Sequence, residues 1–145
     1  MCLKLVKDKK EKKVATENIV CYKFLKYSNY THKWMSPWYG DINWTIGKKF
    51  SASNWYKDYP DENYINGGYF HTYDNEQSAI LEAQAWDLTQ NWCNDYTVAV
   101  FKCIIPKGSI YYDGFHNGEV IQSGYASKKL ELIDKIKVIQ NIICV

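Results

Sequence analysis

The hydrophobic residues fall into a few continuous runs, separated by polar stretches rich in asparagine, aspartate and glycine. Residues 19–25 and 97–105 are almost entirely apolar, β-branched or aromatic, which predicts two buried strands. Shorter runs predict further strands at residues 1–6, 44–46, 49–51, 67–73 and 109–112. Residues 113–118 predict a loop.

A single helix is predicted at residues 75–93. Asp74, with Gln77 three positions later, has the pattern of a capping box. Behind it, apolar residues recur at the spacing of one helix face. This stripe consists of Leu81, Ala85, Leu88 and Trp92.

The C-terminal part predicts two strands, at residues 128–133 and 138–145, joined at Asp134 and Lys135. A helix across residues 128–140 is the alternative. Strands followed by one helix and more strands indicate an α+β fold, with a mainly antiparallel sheet and the helix packed on it. The length predicts one domain over residues 1–145.

Aromatic residues are the strongest functional signal: there are 13 tyrosines and 6 tryptophans, and they are dense where periodicity is lost, between residues 27 and 66. Tyrosine and tryptophan need partners for their polar atoms, so we expect some to line a surface or cleft. The alternative is a second aromatic layer packed beneath loops. The candidate binding residues are Trp34, Trp38, Tyr39, Trp44, Trp55, Tyr56, Tyr69 and His71.

Composition argues against one class of binding partner and indicates the cellular compartment. The net charge is +2, and all 18 basic residues are lysine. Arginine is the usual reader of guanine, so its absence argues against sequence-specific DNA binding, although an AT-rich genome also produces this bias. No apolar run is long enough to span a membrane, and the N-terminal run is too short for a secretion signal, so we expect a cytoplasmic protein.

Signatures of catalysis and metal binding are weak. The five cysteines have no CxxC spacing, and nothing in the spacing of His71, Cys93, Cys103 and His116 supports a zinc site, so no metal is expected. His71 precedes the helix N-terminus, where an anion can bind. Cys2 would become an N-terminal nucleophile if Met1 were removed, and is otherwise a strand residue.

Several segments, taken in order, resemble small uncharacterised proteins of gut bacteria and their phages. They include residues 1–3, 18–23, 36–37, 46–48, 68–71, 103–109, 111–112 and 125–129. The resemblance spans most of the chain and implies a phage or mobile-element context.

A second resemblance is local. Gly67-Gly68-Tyr69-Phe70, followed by a helix carrying Ser78-Ala79, resembles a segment of ADP-ribosyltransferase-like folds. It implies NAD as cofactor and a catalytic glutamate at Glu119 or Glu131. The sequence departs from that pattern in the first strand, where Tyr22-Lys23-Phe24 replaces the usual arginine or histidine.

Two hypotheses follow. The first is a binding protein without cofactor, from a phage or mobile element, that engages a host protein or a nucleotide-like ligand through the aromatic-rich surface and inhibits host defence. The alternative is an ADP-ribosyltransferase-like enzyme that uses NAD, with His71, Glu131 and Cys2 as candidate catalytic residues.

Overall fold

A computed structural model describes residues 3–4, 12–37, 42–52, 64–65, 69–90, 96–117 and 121–139. These ranges contain a helix and eleven strands. In chain order they are β1 (Leu3–Lys4), β2 (Lys13–Val14), β3 (Ile19–Ser28), β4 (Trp34–Met35), β5 (Lys49–Ser51), β6 (Tyr64–Ile65), β7 (Phe70–Tyr73), α1 (Glu76–Gln90), β8 (Tyr96–Ile105), β9 (Ile110–Asn117), β10 (Ile121–Ser127) and β11 (Lys129–Ile139).

The strands form one sheet in the order β5-β11-β8-β3-β7-β10-β9-β1-β6, with β2 added to β9 and β4 added to β3. Every strand pairing in the described ranges is antiparallel. The prediction of a mainly antiparallel α+β fold with one helix is confirmed for this part of the chain. β3 lies near the middle of this order and pairs with β8 along its whole length.

The junction between β3 and β7 is much shorter than its neighbours. These strands pair only at Tyr22↔Tyr73, whereas β3 and β8 remain paired from Ile19↔Ile105 to Ser28↔Tyr96. In a continued antiparallel ladder Lys23 would oppose Thr72, but no pairing is formed there. The sheet therefore opens beside Lys23.

Two apolar clusters lie on opposite faces of the sheet, because successive side chains of a strand point to opposite sides. On the helix face, α1 packs on Phe24, Tyr73, Val98 and Val100. On the other face, Trp44 and Phe70 join a cluster built on residues of β3, β8 and β11. These are Cys21, Leu25, Ala99, Phe101, Cys103, Ile105, Leu130 and Leu132.

The helix matches its predicted position but packs through a different stripe. Leu81 is 40% exposed, so its assignment to the buried face is wrong. Ala85 is half-buried, while the side chain of Leu88 and all of Trp92 lie outside the described residues. The buried positions are Ala79, Ile80, Ala83 and Trp86. Small residues bring the helix close to the sheet, whereas the prediction followed the larger apolar residues.

The helix also begins at a different cap. The side-chain oxygen Oδ1 of Asn75 accepts a hydrogen bond of 2.8 Å from the backbone N–H of Ser78. Asp74 instead accepts a bond of 2.7 Å from the side-chain amide of Asn75. The cap therefore lies one residue after the predicted position, and Asp74 supports the capping residue.

The C-terminal half contains more strand than the pattern predicted. β9 continues through residues 113–117, where a loop was expected, and β10 was not predicted. β11 is one strand, so the predicted division into two strands and the helix alternative are wrong, while residues 140–145 of the predicted second strand lie outside the described residues. The predicted break at Asp134 and Lys135 appears instead as irregular register on either side of these residues. Residues 44–46 form only an isolated bridge, Trp34↔Trp44.

Candidate binding surface and buried polar cluster

The structure separates the candidate residues into three groups. Trp44 and His71 are buried, at 3% and 8% exposure. Trp34, Tyr69 and Glu131 are half-buried. The others lie outside the described residues, namely Cys2, Trp38, Tyr39, Trp55 and Tyr56.

Trp34 belongs to a surface that we call the aromatic hairpin, formed by Tyr27, Tyr30, His32 and Trp34 where β3 turns into β4. The turn is fixed by its own backbone. Ser28 N–H donates to the Lys33 carbonyl at 3.0 Å, and His32 N–H donates to the Ser28 carbonyl at 2.9 Å. This surface is therefore presented by a rigid loop.

The buried hydroxyl of Ser28 holds the rest of the turn. Its Oγ accepts hydrogen bonds from the backbone N–H of Tyr30, at 3.3 Å, and of Thr31, at 3.2 Å. His32 has a φ of 57°, a left-handed conformation that is uncommon outside glycine. Its ring shares a hydrogen bond of 3.3 Å with the Tyr27 hydroxyl, which compensates for the backbone conformation.

The rings of the aromatic hairpin form a column that reaches the core. Tyr27 lies 6.2 Å from His32 and 5.1 Å from Trp34, between ring centroids. Trp34 in turn meets Phe101 edge-on at 4.9 Å, and the Lys135 ammonium lies 5.8 Å from the Trp34 ring. In the turn between β3 and β4, Tyr30 is 76% exposed. The surface therefore combines an exposed ring with anchored neighbours.

A second feature, which we call the lysine cluster, lies inside the apolar core of the other sheet face. Lys23 is only 7% exposed, and its ammonium donates to the His71 carbonyl at 3.0 Å. The same ammonium lies 5.6 Å from the centroid of the Trp44 ring. Burial lowers the pKa of Lys23 to about 8, so the side chain is still mostly protonated at pH 7.

Two thiols face the same lysine. Cys21 and Cys103 are directly paired across β3 and β8, and both are fully buried. Burial raises the pKa of Cys21 to about 12 and that of Cys103 well above its usual value. Both therefore remain neutral thiols, and neither supplies a negative charge beside Lys23.

On the helix face, the two buried histidines lie together. The rings of His71 and His116 are 5.4 Å apart, and Tyr73 lies 5.1 Å from His116. Nε2 of His116, on β9, donates to the Thr72 carbonyl, on β7, at 2.6 Å. The side chain therefore crosses β10, which lies between these two strands. Burial lowers the pKa of His116 to about 4, so this ring is neutral at pH 7.

His71 and Glu131 are not brought together. They lie on β7 and β11, which are separated by β3 and β8 in the sheet. At about 4.8 Å per strand, three steps correspond to about 14 Å between their backbones. Glu131 pairs with Ile104 and Lys49, at the far end from His71.

Sequence reasoning missed Lys23, Tyr27 and His32 as site residues. A usable signal existed for Lys23, since it is the single charge within the apolar run of residues 19–25. Such a residue is rarely buried without a specific partner. Tyr27 and His32 carried no such signal because their contact depends on the turn.

No group of three metal-ligating side chains occurs among the residues that the structure describes. In the same ranges, no helix has the length and apolar character needed to cross a membrane. No family model, curated protein or solved structure matches this chain.

Proposed function

We propose that this chain is a binding protein of a phage or mobile element and that it engages a host protein through the aromatic hairpin. The observation that carries the proposal is the exposed ring of Tyr30 on a turn whose backbone is fixed by Ser28. Rigid tyrosine and tryptophan side chains are typical anchors of protein interfaces, because little conformational entropy is lost when they bind.

The shape of the surface favours a protein partner over a nucleotide-like ligand. Small-molecule sites are concave and enclose most of the ligand. Residues 29–33 are instead five consecutive exposed positions at the end of a hairpin. The inner face of the column is already occupied, since Trp34 contacts both Tyr27 and Phe101.

Tyr30→Ala tests the proposal. Because Tyr30 is exposed, we expect an unchanged melting temperature but loss of the partner. Tagged wild-type protein and variant are used to capture proteins from a gut-bacterial host, and the captured protein is then purified and its affinity measured by calorimetry. A fall in affinity of at least tenfold is expected, corresponding to about 1.4 kcal/mol.

Val14→Ala is the matched control, because Val14 is 57% exposed but lies on β2. It should retain full affinity. Equal binding by wild type and Tyr30→Ala would contradict the proposal, as would binding that is lost equally in the control.

Inhibition of host defence is part of the same proposal, and it is tested by whether the captured partner is a defence component whose activity falls on binding.

The NAD-using alternative stays a prediction. Calorimetric titration with NAD, repeated with His71→Ala, distinguishes it: saturable binding that depends on His71 would favour the enzyme.

A further inference from the structure

Lys23 is a buried cation for which the described residues provide no counter-charge. Its single hydrogen bond there is to an uncharged carbonyl, that of His71. The groups that face it are the neutral thiols of Cys21 and Cys103 and, across β7, the neutral ring of His116. An unpaired buried charge costs several kcal/mol, so a compensating group is expected nearby.

Two further buried polar atoms belong to residues beside Lys23. Nε1 of Trp44 has no hydrogen-bond partner in the described part of the chain, and Oγ1 of Thr72 has none there except the weakly bonding thiol of Cys21. Trp44 is 3% exposed and Thr72 is fully buried. An indole N–H can only donate, and the ammonium has hydrogens left after bonding to His71. Among the described residues, the lysine cluster therefore has more donors than the His71 carbonyl can satisfy.

The sheet opens where these donors meet. β3 and β7 part immediately after Tyr22↔Tyr73, so Lys23 and Thr72 flank the opening instead of pairing across it. The aromatic ring of Trp44 covers Lys23 from the loop side. A positive charge, two further polar atoms and the end of the β3–β7 pairing therefore occur at the same place in the sheet.

We propose that the lysine cluster binds one monatomic anion, of the size of chloride or bromide, between Lys23, Trp44 and Thr72. The ammonium supplies the charge, and the indole N–H and the threonine hydroxyl supply directed donors. Burial sets the ligand class, because Lys23, Trp44 and Thr72 are all buried, which favours an anion of one atom over a carboxylate-bearing metabolite or a phosphate ester. This site is on the opposite sheet face from α1, and although Trp44 is bridged to Trp34 of the aromatic hairpin, the anion proposal does not rest on the proposed function.

The test measures melting temperature at pH 7 as sodium gluconate is replaced by sodium bromide at constant ionic strength. Gluconate is too large to enter. We expect a saturable rise of about 5 °C for wild type, because an anion that binds only the folded state stabilises it by mass action. Lys23→Met should abolish the rise. Lys26→Met, which removes a buried lysine on the helix face, should retain it.

Thr72→Val provides a second, shape-conserving variant in case Lys23→Met does not fold. Loss of one donor should raise the bromide concentration at half-saturation about tenfold. Thr45→Val, at an exposed loop position, should leave it unchanged. A bromide response that is absent, non-saturable or identical in wild type and Thr72→Val would overturn the proposal and leave a buried water as the acceptor.

Discussion

The ring of His116 lies against the backbone of Gly124, and no other residue type fits beneath it. A Cβ atom at Gly124 would stand 2.5 Å from both Cδ2 and Nε2 of His116, and closer still to the Thr72 carbonyl oxygen. The absence of a side chain lets the imidazole cross β10 and bond to β7. Three adjacent strands are thereby joined by one side chain.

Gly124→Ala should destabilise the protein by about 1–3 kcal/mol, because the added methyl group must displace His116 or the strand. Chemical denaturation monitored by tryptophan fluorescence measures the change. Ser123→Ala, at the neighbouring position, is the control and should cost less than about 0.5 kcal/mol. Equal stabilities of the two variants would show that β10 tolerates a side chain at residue 124.

Acid should destabilise the protein through His116. Burial lowers its pKa to about 4 in the folded chain, against an ordinary value of 6.5, so between these values the unfolded chain binds more protons. Stability therefore falls as the pH is lowered from 6.5 to 4, by about 3 kcal/mol over the window. Denaturation at a series of pH values should show this slope in wild type and a smaller one in His116→Gln. Identical slopes would exclude His116 as the source.

Lys23 should also make the free energy of unfolding increase with pH, but in an alkaline range. Burial lowers its pKa to about 8, against an ordinary value of 10.5, so the unfolded chain binds more protons between pH 8 and 10.5. In gluconate buffer, stability should therefore rise across this window, by about 3 kcal/mol relative to Lys23→Met. A difference between the two proteins that does not change with pH would contradict this assignment.

The helix offers a direct comparison of neighbouring residues. Ile80 is 7% exposed and Leu81 is 40% exposed. Ile80→Ala should cost about 2–5 kcal/mol, whereas Leu81→Ala should cost about 1 kcal/mol or less. Urea denaturation of the two variants decides which stripe faces the sheet, and a larger effect at Leu81 would restore the stripe predicted from the sequence.

Trp44 should behave as a core residue. It contacts Phe50 at 4.7 Å and Phe70 at 5.2 Å between centroids, so Trp44→Ala should cost about 3–5 kcal/mol. Thermal melting beside Tyr30→Ala, which should match wild type, separates core aromatics from surface aromatics. A stable Trp44→Ala variant would return Trp44 to the candidate binding surface.

Fold class was predictable where the local pattern and the tertiary environment agreed. β8 matches its predicted strand within one residue because nearly every position is apolar. β10 was missed because it carries Gln122, Ser123 and Gly124, and its place in the sheet depends on its pairing with β7 and β9 rather than on propensity. Long-range pairing overrides local preference in strands of this kind.

The candidate sites were less predictable for a related reason. Aromatic density pointed to Trp34, but density alone does not distinguish it from Trp44, which the bridge between the two residues places in the core. The aromatic hairpin depends on the left-handed backbone of His32, and the lysine cluster depends on the opening between β3 and β7. Neither feature can be recognised from the spacing of residues in the sequence.

The pairing of β3 with β8 also determines when this sheet can assemble. Its innermost pair, Ser28↔Tyr96, encloses all the residues from 29 to 95, and α1 and β7 lie within that loop. Closing so long a loop costs entropy before any ladder contact is made. Folding should therefore be slow, on the scale of milliseconds to seconds typical of non-local sheets. During synthesis, β3 must wait with its apolar edge unpaired until β8 has left the ribosome.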